Sequence, residues 1–572
     1  MHVPVRRRRR GTGADDQPQE RATTTLAQDD RDRVIVVPDR GSAPPRVVED
    51  GAELVRQFAW SGLAGSVLVA LGAFGAGWVS LASGIGTLPV LGTIRSNPGY
   101  TLIGQLVVIV GVALLVQAWL RLGHVVRTRE VRHGARLNRL ALWWGLPMAF
   151  APVLFSRDVY SYIAQSRLLP HGVDPYVYGT GVFDTYFTDG ADWIWKTSPA
   201  PYGPLWMGLS SGVYRLTGAA AIPSLLLFRL LAVAGVVLIA LYLPRLARAC
   251  GVDEAKAVWI GLLNPLIFLH FVSAAHNDAL MVGLLVAGMT YAMEKRPLVG
   301  LVLVSLAGAV KAPALLGLPF VGIAWAGPGS TFWRRLRKWV VSGLVALGVF
   351  VLLNLVTGLN FGWLSSLGTP GQVRTWLSPT TALGMTTGNL LDAVGLGYRV
   401  DGAVDAWRDI GALVTVAILV YLVLTGHNRS PARGLGLSLL TLVLLGPVVQ
   451  TWYLLWGLVI LAGAGLTRNG TRAAVLVSVG FTVFAVANAG STVPTNIFLA
   501  DGPVTLISVA VVAALLLGSR YTRNVLLEDA LPSALAGPVT PVPRDGSARG
   551  NPPDGGAGQE HAHTSGRSVS GP

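Results

Sequence analysis

Charged residues are scarce in this chain. Of its 572 residues only 13% are Asp, Glu, Lys or Arg, whereas 52% are hydrophobic, and the mean hydropathy is +0.54. A soluble domain usually carries about 25% charged residues. Continuous apolar runs of roughly 15–25 residues recur from Gln57 to Ser519, close to the length that a helix needs to cross a bilayer. Because continuous rather than alternating runs favour helices over a barrel, the composition predicts an all-α, polytopic integral membrane protein.

Several signatures of soluble chemistry are missing as well. The single cysteine, Cys250, excludes an intrachain disulfide or a cysteine zinc cluster. The sequence has no G-x-x-x-x-G-K-[ST] loop, no G-x-G-x-x-G beside a strand–helix unit and no Ser/His/Asp hydrolase elbow. The net charge of +15 lies mostly in short loops between apolar runs, so nucleic acid is not an expected partner. The Arg6–Arg10 run is too far from the first apolar stretch to begin a signal peptide.

The chain divides into three parts. Residues 1–56 and 520–572 are rich in charged residues or in Pro, Gly and Ser, and we predict that both are disordered tails. Residues 57–519 form the predicted transmembrane domain of about 12–14 helices. The spans are expected near residues 57–81, 101–121, 140–155, 222–243, 257–274, 279–293, 297–311, 313–326, 339–357, 409–426, 434–449, 453–467, 473–490 and 501–518, with 297–326 a candidate for one broken helix.

The basic residues predict the orientation. Arg and Lys cluster in alternate loops, which places these clusters on one side of the membrane in a fourteen-span arrangement. That side is the cytoplasm by the positive-inside rule, and both termini share it. The extracytoplasmic side of the plasma membrane then receives two long loops, 156–221 and 358–408, together with "SAAHND", "VQTWY" and "NAGSTVPTN" (488–496). Unusual polar and aromatic residues gather on this side, so we expect the functional site there.

The stretch "FSRDVYSYIAQSRLLPHGVDPYVYG" opens the first long loop with charges and tyrosines at the end of an apolar helix. Asp158 follows the third predicted span, and a carboxylate at the membrane boundary is a functional candidate, although an ordinary helix-end aspartate is the alternative. Arg157 is adjacent but points apart on a helix, and Tyr160 is a further candidate for substrate contact. In "GVDPY", Asp174 and Tyr176 lie on a turn that Pro175 makes rigid, either a binding edge or simply a turn.

Aromatic rings and polar residues recur farther along. "WIWKTSPAPYGPLW" places Tyr202 among three tryptophans, which either mark the bilayer interface or stack on sugar rings. "SAAHNDAL" holds His276, Asn277 and Asp278 at a turn between two spans. Because no second histidine stands at metal-ligand spacing, we interpret this trio as hydrogen-bonding groups for a polar substrate; a satisfied helix cap is the alternative for His276.

One lysine interrupts an apolar region. Lys311 in "GAVKAPALLGLPF" precedes Pro313, which cannot continue a regular helix. A broken helix exposes backbone dipoles, and a lysine beside them favours anion binding, phosphate in particular; snorkelling to the interface is the alternative. Gln450, Trp452 and Tyr453 add polar groups at another outer helix end.

In their order and spacing, "SRDVYSY", "GVDPYVYG", "PAPYGPLW", "SAAHND", "KAPALLGLPF" and "VQTWYLLW" together resemble one family. The chain is similar, over about residues 55–520, to the polyprenol-phosphate-mannose-dependent α-(1→6)-mannopyranosyltransferases of actinobacteria, which belong to the GT-C superfamily of glycosyltransferases. The resemblance implies a GT-C fold, a polyprenyl-phosphate-mannose donor within membrane lipid, and a lipid-anchored mannan acceptor. The product would be the backbone of lipomannan and lipoarabinomannan in the cell envelope.

The resemblance also implies a mechanism. In the superfamily an acidic residue at the start of the first large outer loop is the catalytic base, and Asp158 occupies that position. Attack opposite a β-linked phosphate gives an α product with inversion, and Lys311 stabilises the phosphate. Superfamily members differ in metal use, so a divalent cation stays an open cofactor, and no metal ligand is predicted.

Transport is the alternative function. A transporter or flippase of lipid-linked sugars places its site near the bilayer midplane between symmetry-related repeats. No matching halves are evident in this sequence, and most candidate residues lie at outer helix ends, which favours the enzyme. A scaffold without a site does not explain why Asp, Lys and aromatic residues gather on one side.

Overall fold

A computed structural model describes residues 51–80, 83–85, 88–128, 134–185, 190–396, 400–426 and 430–487, with scattered residues between 510 and 523. Nearly all of both predicted tails, most of the predicted span 501–518 and the segment 488–496 lie outside these residues. The first helix begins at Gly51, inside the predicted tail, because an apolar scan does not register the polar first turns of a spanning helix.

The regular structure of the described residues is helical, apart from one isolated bridge in which the Trp78 N–H donates to the Val153 carbonyl over 2.7 Å. The helices are α1 Gly51–Ala76, α2 Pro89–Ser96, α3 Pro98–Thr128, α4 Gly134–Ala149, α5 Asp158–Gln165, α6 Pro204–Thr217, α7 Ala221–Ala249, α8 Glu254–Ala257, α9 Asp278–Met293, α10 Pro297–Val310, α11 Gly317–Ala326, α12 Phe332–Thr357, α13 Pro379–Ala393, α14 Val400–Thr425, α15 Pro431–Leu445, α16 Leu454–Ala464 and α17 Arg468–Ala487, with a short helix at Arg520–Arg523. Helix α8 continues as a π-helical turn, Val258–Leu262, and a second such segment is Ile267–Ser273.

Six of the described helices are long and apolar enough to cross a membrane, namely α1, α3, α7, α12, α14 and α17. A seventh candidate is the pair Glu254–Leu262 and Ile267–Ser273, which would form one span bent by 59° at the break. Five shorter apolar helices coincide with further predicted spans: Asp278–Met293, Pro297–Val310, Ala312–Ala326, Pro431–Leu445 and Thr451–Ala464. The predicted span 140–155 overlaps α4, which belongs to neither group. The chain is therefore an all-α, polytopic membrane protein, as its composition predicts.

The predicted break in 297–326 is confirmed. Helix α10 ends at Val310, Lys311 is extended, and a 3₁₀ segment, Ala312–Leu316, follows before α11. By contrast, the two segments predicted as long loops both contain helices. Segment 156–221 contains α5 and α6, and segment 358–408 contains a 3₁₀ helix, Phe361–Gln372, then α13 and the start of α14. Proline in the first turn begins both α6 and α13, a start signal that an apolar scan does not detect.

The helices pack through small residues. At four helix crossings within the described residues two glycines face each other so closely that a Cβ on one would stand 2.4–2.9 Å from the carbonyl oxygen of the other. Glycine at these points lets backbones approach, which is how membrane helices gain packing energy without a hydrophobic driving force. The facing pairs are Gly72–Gly104, Gly235–Gly283, Gly288–Gly300 and Gly436–Gly457.

The bend between the two π-helical segments leads to the site. Asn264 is buried there, accepts a hydrogen bond from the Leu266 N–H (3.1 Å) and donates to the Ser478 hydroxyl (2.8 Å). These bonds satisfy groups that the break would leave unpaired in lipid. Beyond the bend, the chain runs through Ile267–Ser273 to the turn before α9.

Candidate active site

Asp158 is the first residue of helix α5. Phe155, three residues earlier, has a φ of 69°, a left-handed conformation that costs a non-glycine residue about 1–2 kcal/mol. The Ser156 hydroxyl accepts a hydrogen bond from the Asp158 N–H over 3.2 Å. A helix N-terminus favours a carboxylate, and the Asp158 side chain is 26% exposed although the other residues of α5 are buried. The carboxylate is therefore the accessible group on a helix whose other residues are buried.

The turn before α9 brings a histidine to this carboxylate. Ala275 takes a φ of 56°, and His276 then lies with Nδ1 3.5 Å from Asp158 Oδ2. The imidazole stacks on Trp452, with ring centroids 3.9 Å apart and planes 23° apart. The neighbouring Asn277 accepts a hydrogen bond from the Tyr162 hydroxyl over 3.3 Å. Two left-handed non-glycine residues thus flank the point where α5 meets this turn, and such strain concentrates at functional sites.

Lys311 reaches the same place from the break between α10 and α11. Its Nζ lies 2.8 and 3.0 Å from the two carboxylate oxygens of Asp278, and the Trp456 indole N–H donates to the same carboxylate over 2.6 Å. The Lys311 side chain is 12% exposed and that of Asp278 is fully buried. The ring centroids of Tyr202, Tyr453 and Trp456 lie 5.9, 5.1 and 5.3 Å from Nζ. The lysine is therefore neutralised by an ion pair that the sequence did not predict.

The surroundings shift the pKa values of Asp158 and His276. Burial raises the pKa of Asp158 from 3.8 to about 7; Lys311 and the Ser156 hydroxyl oppose the rise, and the carboxylates of Asp278 and Asp192 add to it. Burial and then the Lys311 charge hold the pKa of His276 well below 6.5. At neutral pH a neutral imidazole thus stands beside a carboxyl group that exchanges its proton readily, as a general base requires.

Unpaired polar atoms occur both on helix α5 and in the His276 turn. Among the described residues, the buried side chains of Ser161 and Gln165 have no hydrogen-bond partner, nor do the two imidazole nitrogens of His276 or the amide nitrogen of Asn277. Ser161 and Gln165 stand three and seven residues after Asp158, so all three share one face of α5. A buried polar group without a partner costs about 1–3 kcal/mol. These groups suit a ligand with many hydroxyls, which would supply the missing partners.

Two other predicted site residues, Arg157 and Tyr160, contact neighbouring segments of the chain rather than Asp158, His276 or Lys311. Arg157 pairs with Asp192 over 2.5 Å and lies over the Trp78 ring at 4.4 Å. The Tyr160 hydroxyl donates to the Trp78 carbonyl over 2.9 Å. Through the Arg157–Asp192 pair, the next segment of the long loop is held beside the catalytic candidate.

The predicted turn at "GVDPY" is confirmed. The Tyr178 N–H donates to the Asp174 carbonyl over 3.1 Å, and Asp174 Oδ1 accepts from the Tyr176 N–H over 2.8 Å. Asp174 also accepts from Asn360 over 3.2 Å, and Tyr176 is buried, so this turn joins segments 156–221 and 358–408. Gln450 is half-buried at the start of the 3₁₀ turn Thr451–Tyr453 and makes no capping bond there.

Sequence reasoning missed several residues. Trp456 donates to Asp278, and Tyr162 packs edge-on against Tyr202 and Trp206 with centroids 5.6 and 5.0 Å apart. Arg229 was also missed, although it is the single charged residue between Ala221 and Pro244, a signal that by itself marks a functional candidate. Within the described ranges, no group of three His, Cys, Asp or Glu side chains is placed to hold a metal ion.

Fold and site together define a polytopic, all-α membrane protein with a titratable carboxyl group at one end of its helices. The family model for the α-(1→6)-mannopyranosyltransferase N-terminal domain matches residues 59–327, and that for the MptB C-terminal domain matches residues 380–518. The chain therefore belongs to the family of α-(1→6)-mannopyranosyltransferases, which confirms the resemblance in the motifs. The first model contains Asp158, His276 and Lys311, and the second contains Trp452 and Trp456.

Curated relatives agree with the family. A probable α-(1→6)-mannopyranosyltransferase of Mycolicibacterium smegmatis is 34% identical over 466 residues, which cover 75% of this chain and 82% of that protein. An α-(1→6)-mannopyranosyltransferase of Mycobacterium tuberculosis is 32% identical over 73% of this chain and 80% of its own length. α-(1→6)-Mannopyranosyltransferase B of Corynebacterium glutamicum is 30% identical over 72% and 74% of the two chains. No solved structure matches the chain significantly.

Proposed function

We propose that this membrane mannosyltransferase moves mannose from polyprenyl-phosphate-mannose to a lipid-anchored mannan, forming an α-(1→6) bond with inversion, and that Asp158 is the general base. The observation that carries the proposal is the Asp158 carboxyl group, 26% exposed and with a pKa raised to about 7. It stands at the position where the superfamily places the acidic residue that serves as its catalytic base, and the relatives carry names that describe this bond.

The proposed chemistry needs one base. Asp158 takes the proton from the 6-hydroxyl of the acceptor mannose while that oxygen bonds to C1 of the donor. The bond from C1 to the phosphate oxygen breaks, and its electron pair leaves with the phosphate. Attack opposite a β-linked phosphate gives the α product. Phosphate leaves readily without protonation, so a base of pKa near 7 supplies the proton transfer that contributes about 10²–10⁴-fold.

Lys311 is proposed to hold the donor phosphate. An ammonium group has three N–H donors, of which the two oxygens of Asp278 accept two. The third is available to a phosphate oxygen. The ion pair with Asp278 fixes the direction of that donor before substrate binds, and such preorganised donors stabilise developing charge effectively.

The charge distribution supports an extracytoplasmic site. Helix α9 begins at Asp278, within the site, and is followed directly by Glu294, Lys295 and Arg296. Its 16 residues separate the two ends by about 24 Å. Arg245 pairs with Glu294 at the far end, and the positive-inside rule assigns that basic end to the cytoplasm. In this orientation both termini are cytoplasmic and the protein lies in the plasma membrane.

Transfer is tested with purified protein in liposomes, polyprenyl-phosphate-[¹⁴C]mannose and a short α-(1→6)-linked mannoside. We expect Asp158→Asn to lower kcat by about 10²–10⁴-fold with little change in the amount of folded protein. The matched control is Asp184→Asn, which changes an exposed carboxylate in the same outer segment and keeps wild-type transfer. Equal transfer by Asp158→Asn and wild type removes Asp158 from its role. Uptake of the labelled lipid without a new glycosidic bond would instead indicate the flippase.

The orientation has its own test. In a Cys250→Ser background, which removes the single cysteine, Asp184→Cys and Asp253→Cys introduce thiols near the site and at the basic end. In sealed right-side-out vesicles a membrane-impermeant maleimide should label Asp184→Cys and leave Asp253→Cys unlabelled until the membrane is permeabilised. The opposite pattern would place the site in the cytoplasm.

A further inference from the structure

A buried arginine lies beside the site and is unused by the proposed chemistry. Arg229 on α7 is 3% exposed and lies eight residues after the beginning of an otherwise apolar first part of that helix. A charge within a membrane-spanning helix is costly and is retained where it has a specific task. Among the ion pairs of the described residues, none involves Arg229. Its partners are two backbone carbonyl groups.

These carbonyl groups end two helical segments. One guanidinium nitrogen donates to the carbonyl of Ala149, the last residue of α4, over 3.0 Å. A second donates to the carbonyl of Ser273, the last residue of Ile267–Ser273, over 2.8 Å. Carbonyl groups at a helix C-terminus have no partner within the helix and carry partial negative charge. The planar guanidinium thus joins two helix ends, each of which attracts a cation through its partial negative charge.

Both helix ends lead directly into the site. Asp158 follows Ala149 by nine residues, and His276 follows Ser273 by three. Each connection contains one of the left-handed non-glycine residues, Phe155 and Ala275. Strained conformations of this kind persist only where the surroundings hold them, and the Arg229 bonds fix the start of both connections.

We infer that Arg229 is a positioning residue, which sets the separation of Asp158 from the His276 turn by joining the carbonyl groups of Ala149 and Ser273. The inference rests on the proposed function of Asp158. Among the described residues, Arg229 forms no ion pair with the Asp158 carboxylate. A displacement of about 1 Å at reacting groups can cost about 10²-fold in rate, so loss of the join should act on kcat more than on substrate binding.

The experiment compares Arg229→Gln and Arg229→Lys with wild type in the liposome transfer assay. We expect Arg229→Gln to lower kcat by about 10–100-fold, while KM for donor and acceptor stays within about twofold. Arg229→Lys reaches one carbonyl group and should recover part of the rate. The midpoint of the pH–rate profile should move below that of wild type, because a loosened connection lets water reach the Asp158 carboxyl group.

The matched control is Arg335→Gln. Arg335 on α12 is also buried and donates to a backbone carbonyl, that of Leu424 over 3.0 Å, where α14 ends. The Arg335→Gln variant should have a lower melting temperature than wild type, with the same kcat and the same midpoint of the pH–rate profile. A wild-type kcat and midpoint in Arg229→Gln, or the same kinetic losses in Arg335→Gln, would overturn the inference. If wild type transfers no mannose, or Asp158→Asn transfers it fully, the proposed function fails instead, and the two failures are distinguished.

Discussion

Helix α9 carries an ion pair at each end, and the two differ in their surroundings. At its beginning, Asp278 is fully buried and pairs with Lys311, which is 12% exposed. Past its other end, Glu294 pairs with Arg245 through two bonds of 2.7 and 3.1 Å, with side chains 30% and 33% exposed. Similar distances thus occur in two different environments.

The difference shows which charges are functional candidates. Taking two charges out of water is expensive, and a buried pair is weak evidence for stability, so the Lys311–Asp278 pair points to a task. A pair that stays partly exposed to water contributes about 0–1 kcal/mol, and the Arg245–Glu294 pair is of this kind. The buried end is also where Phe155 and Ala275 are strained and where buried polar side chains have no hydrogen-bond partner among the described residues.

Breaking the buried pair should have the largest effect on stability. Lys311→Met leaves the Asp278 carboxylate without its cation, which costs about 3–5 kcal/mol. It also removes the N–H group that is proposed to bind the phosphate of the substrate. We expect a much lower melting temperature in detergent and no transfer. In Lys311→Met/Asp278→Asn the amide oxygen still accepts from the Trp456 indole, so stability should return while transfer does not. A double variant with full transfer would show that the pair is structural only.

Asp158 should make stability depend on pH. Because its pKa rises from 3.8 to about 7 on folding, the folded protein binds more protons than the unfolded chain between these values. The free energy of unfolding therefore falls as the pH rises through this window, by at most about 4 kcal/mol. The difference in melting temperature between Asp158→Asn and wild type should grow from pH 4 to pH 8, with Asp158→Asn the more stable. A constant difference would mean that the carboxyl group has an ordinary pKa in the folded protein.

Much of the fold could be predicted because long apolar runs depend on the local sequence alone. The bounds of α7 and α9 agree with the prediction to within a few residues except at the end of α7, and the break at Lys311 follows from Pro313. Helices α5 and α13 were missed because their apolar residues are too few to form a run.

The site was predicted less completely, because its contacts join residues that are far apart in the sequence. Asp158 could be proposed from its place at a helix end. Its neighbours come from residues more than 100 positions away, such as His276, and no spacing rule reports such contacts. The pairing of Lys311 with Asp278 likewise depends on how α9 and α10 cross, which Gly288 and Gly300 set through the close approach of their backbones.

A packing change near the basic end should affect stability without affecting the site. Gly123 on α3 lies against the Trp259 ring, where a Cβ would stand 2.0 Å from the nearest carbon. Trp259 and Trp119 also exchange indole-to-carbonyl hydrogen bonds of 2.9 and 2.8 Å. Gly123→Ala should cost about 1–3 kcal/mol by overpacking, with kcat per folded molecule unchanged.

The matched control for this change is Gly343→Ala on α12, where a Cβ would meet nothing within 4 Å. Alanine in a helix interior is then slightly stabilising, by about 0.5–1 kcal/mol. Melting temperatures measured by a thermal-shift assay in detergent separate the two substitutions. Equal effects would mean that the Trp259 ring moves aside without cost.

The smallest effect is expected at the Arg245–Glu294 pair, the less buried of the two. Its coupling free energy tests directly whether the two ends of α9 differ. In a double-mutant cycle of Arg245→Met and Glu294→Gln, the coupling free energy should stay below about 1 kcal/mol, and each variant should transfer mannose as wild type does. Arg245 also lies over the Tyr242 and Tyr291 rings, 4.8 and 5.3 Å from their centroids, and Met retains part of that packing. A coupling as large as that between Lys311 and Asp278 would show that exposure does not separate the two pairs. The buried pair would then lose its claim to a special role, because the same contact would be equally strong where no substrate binds.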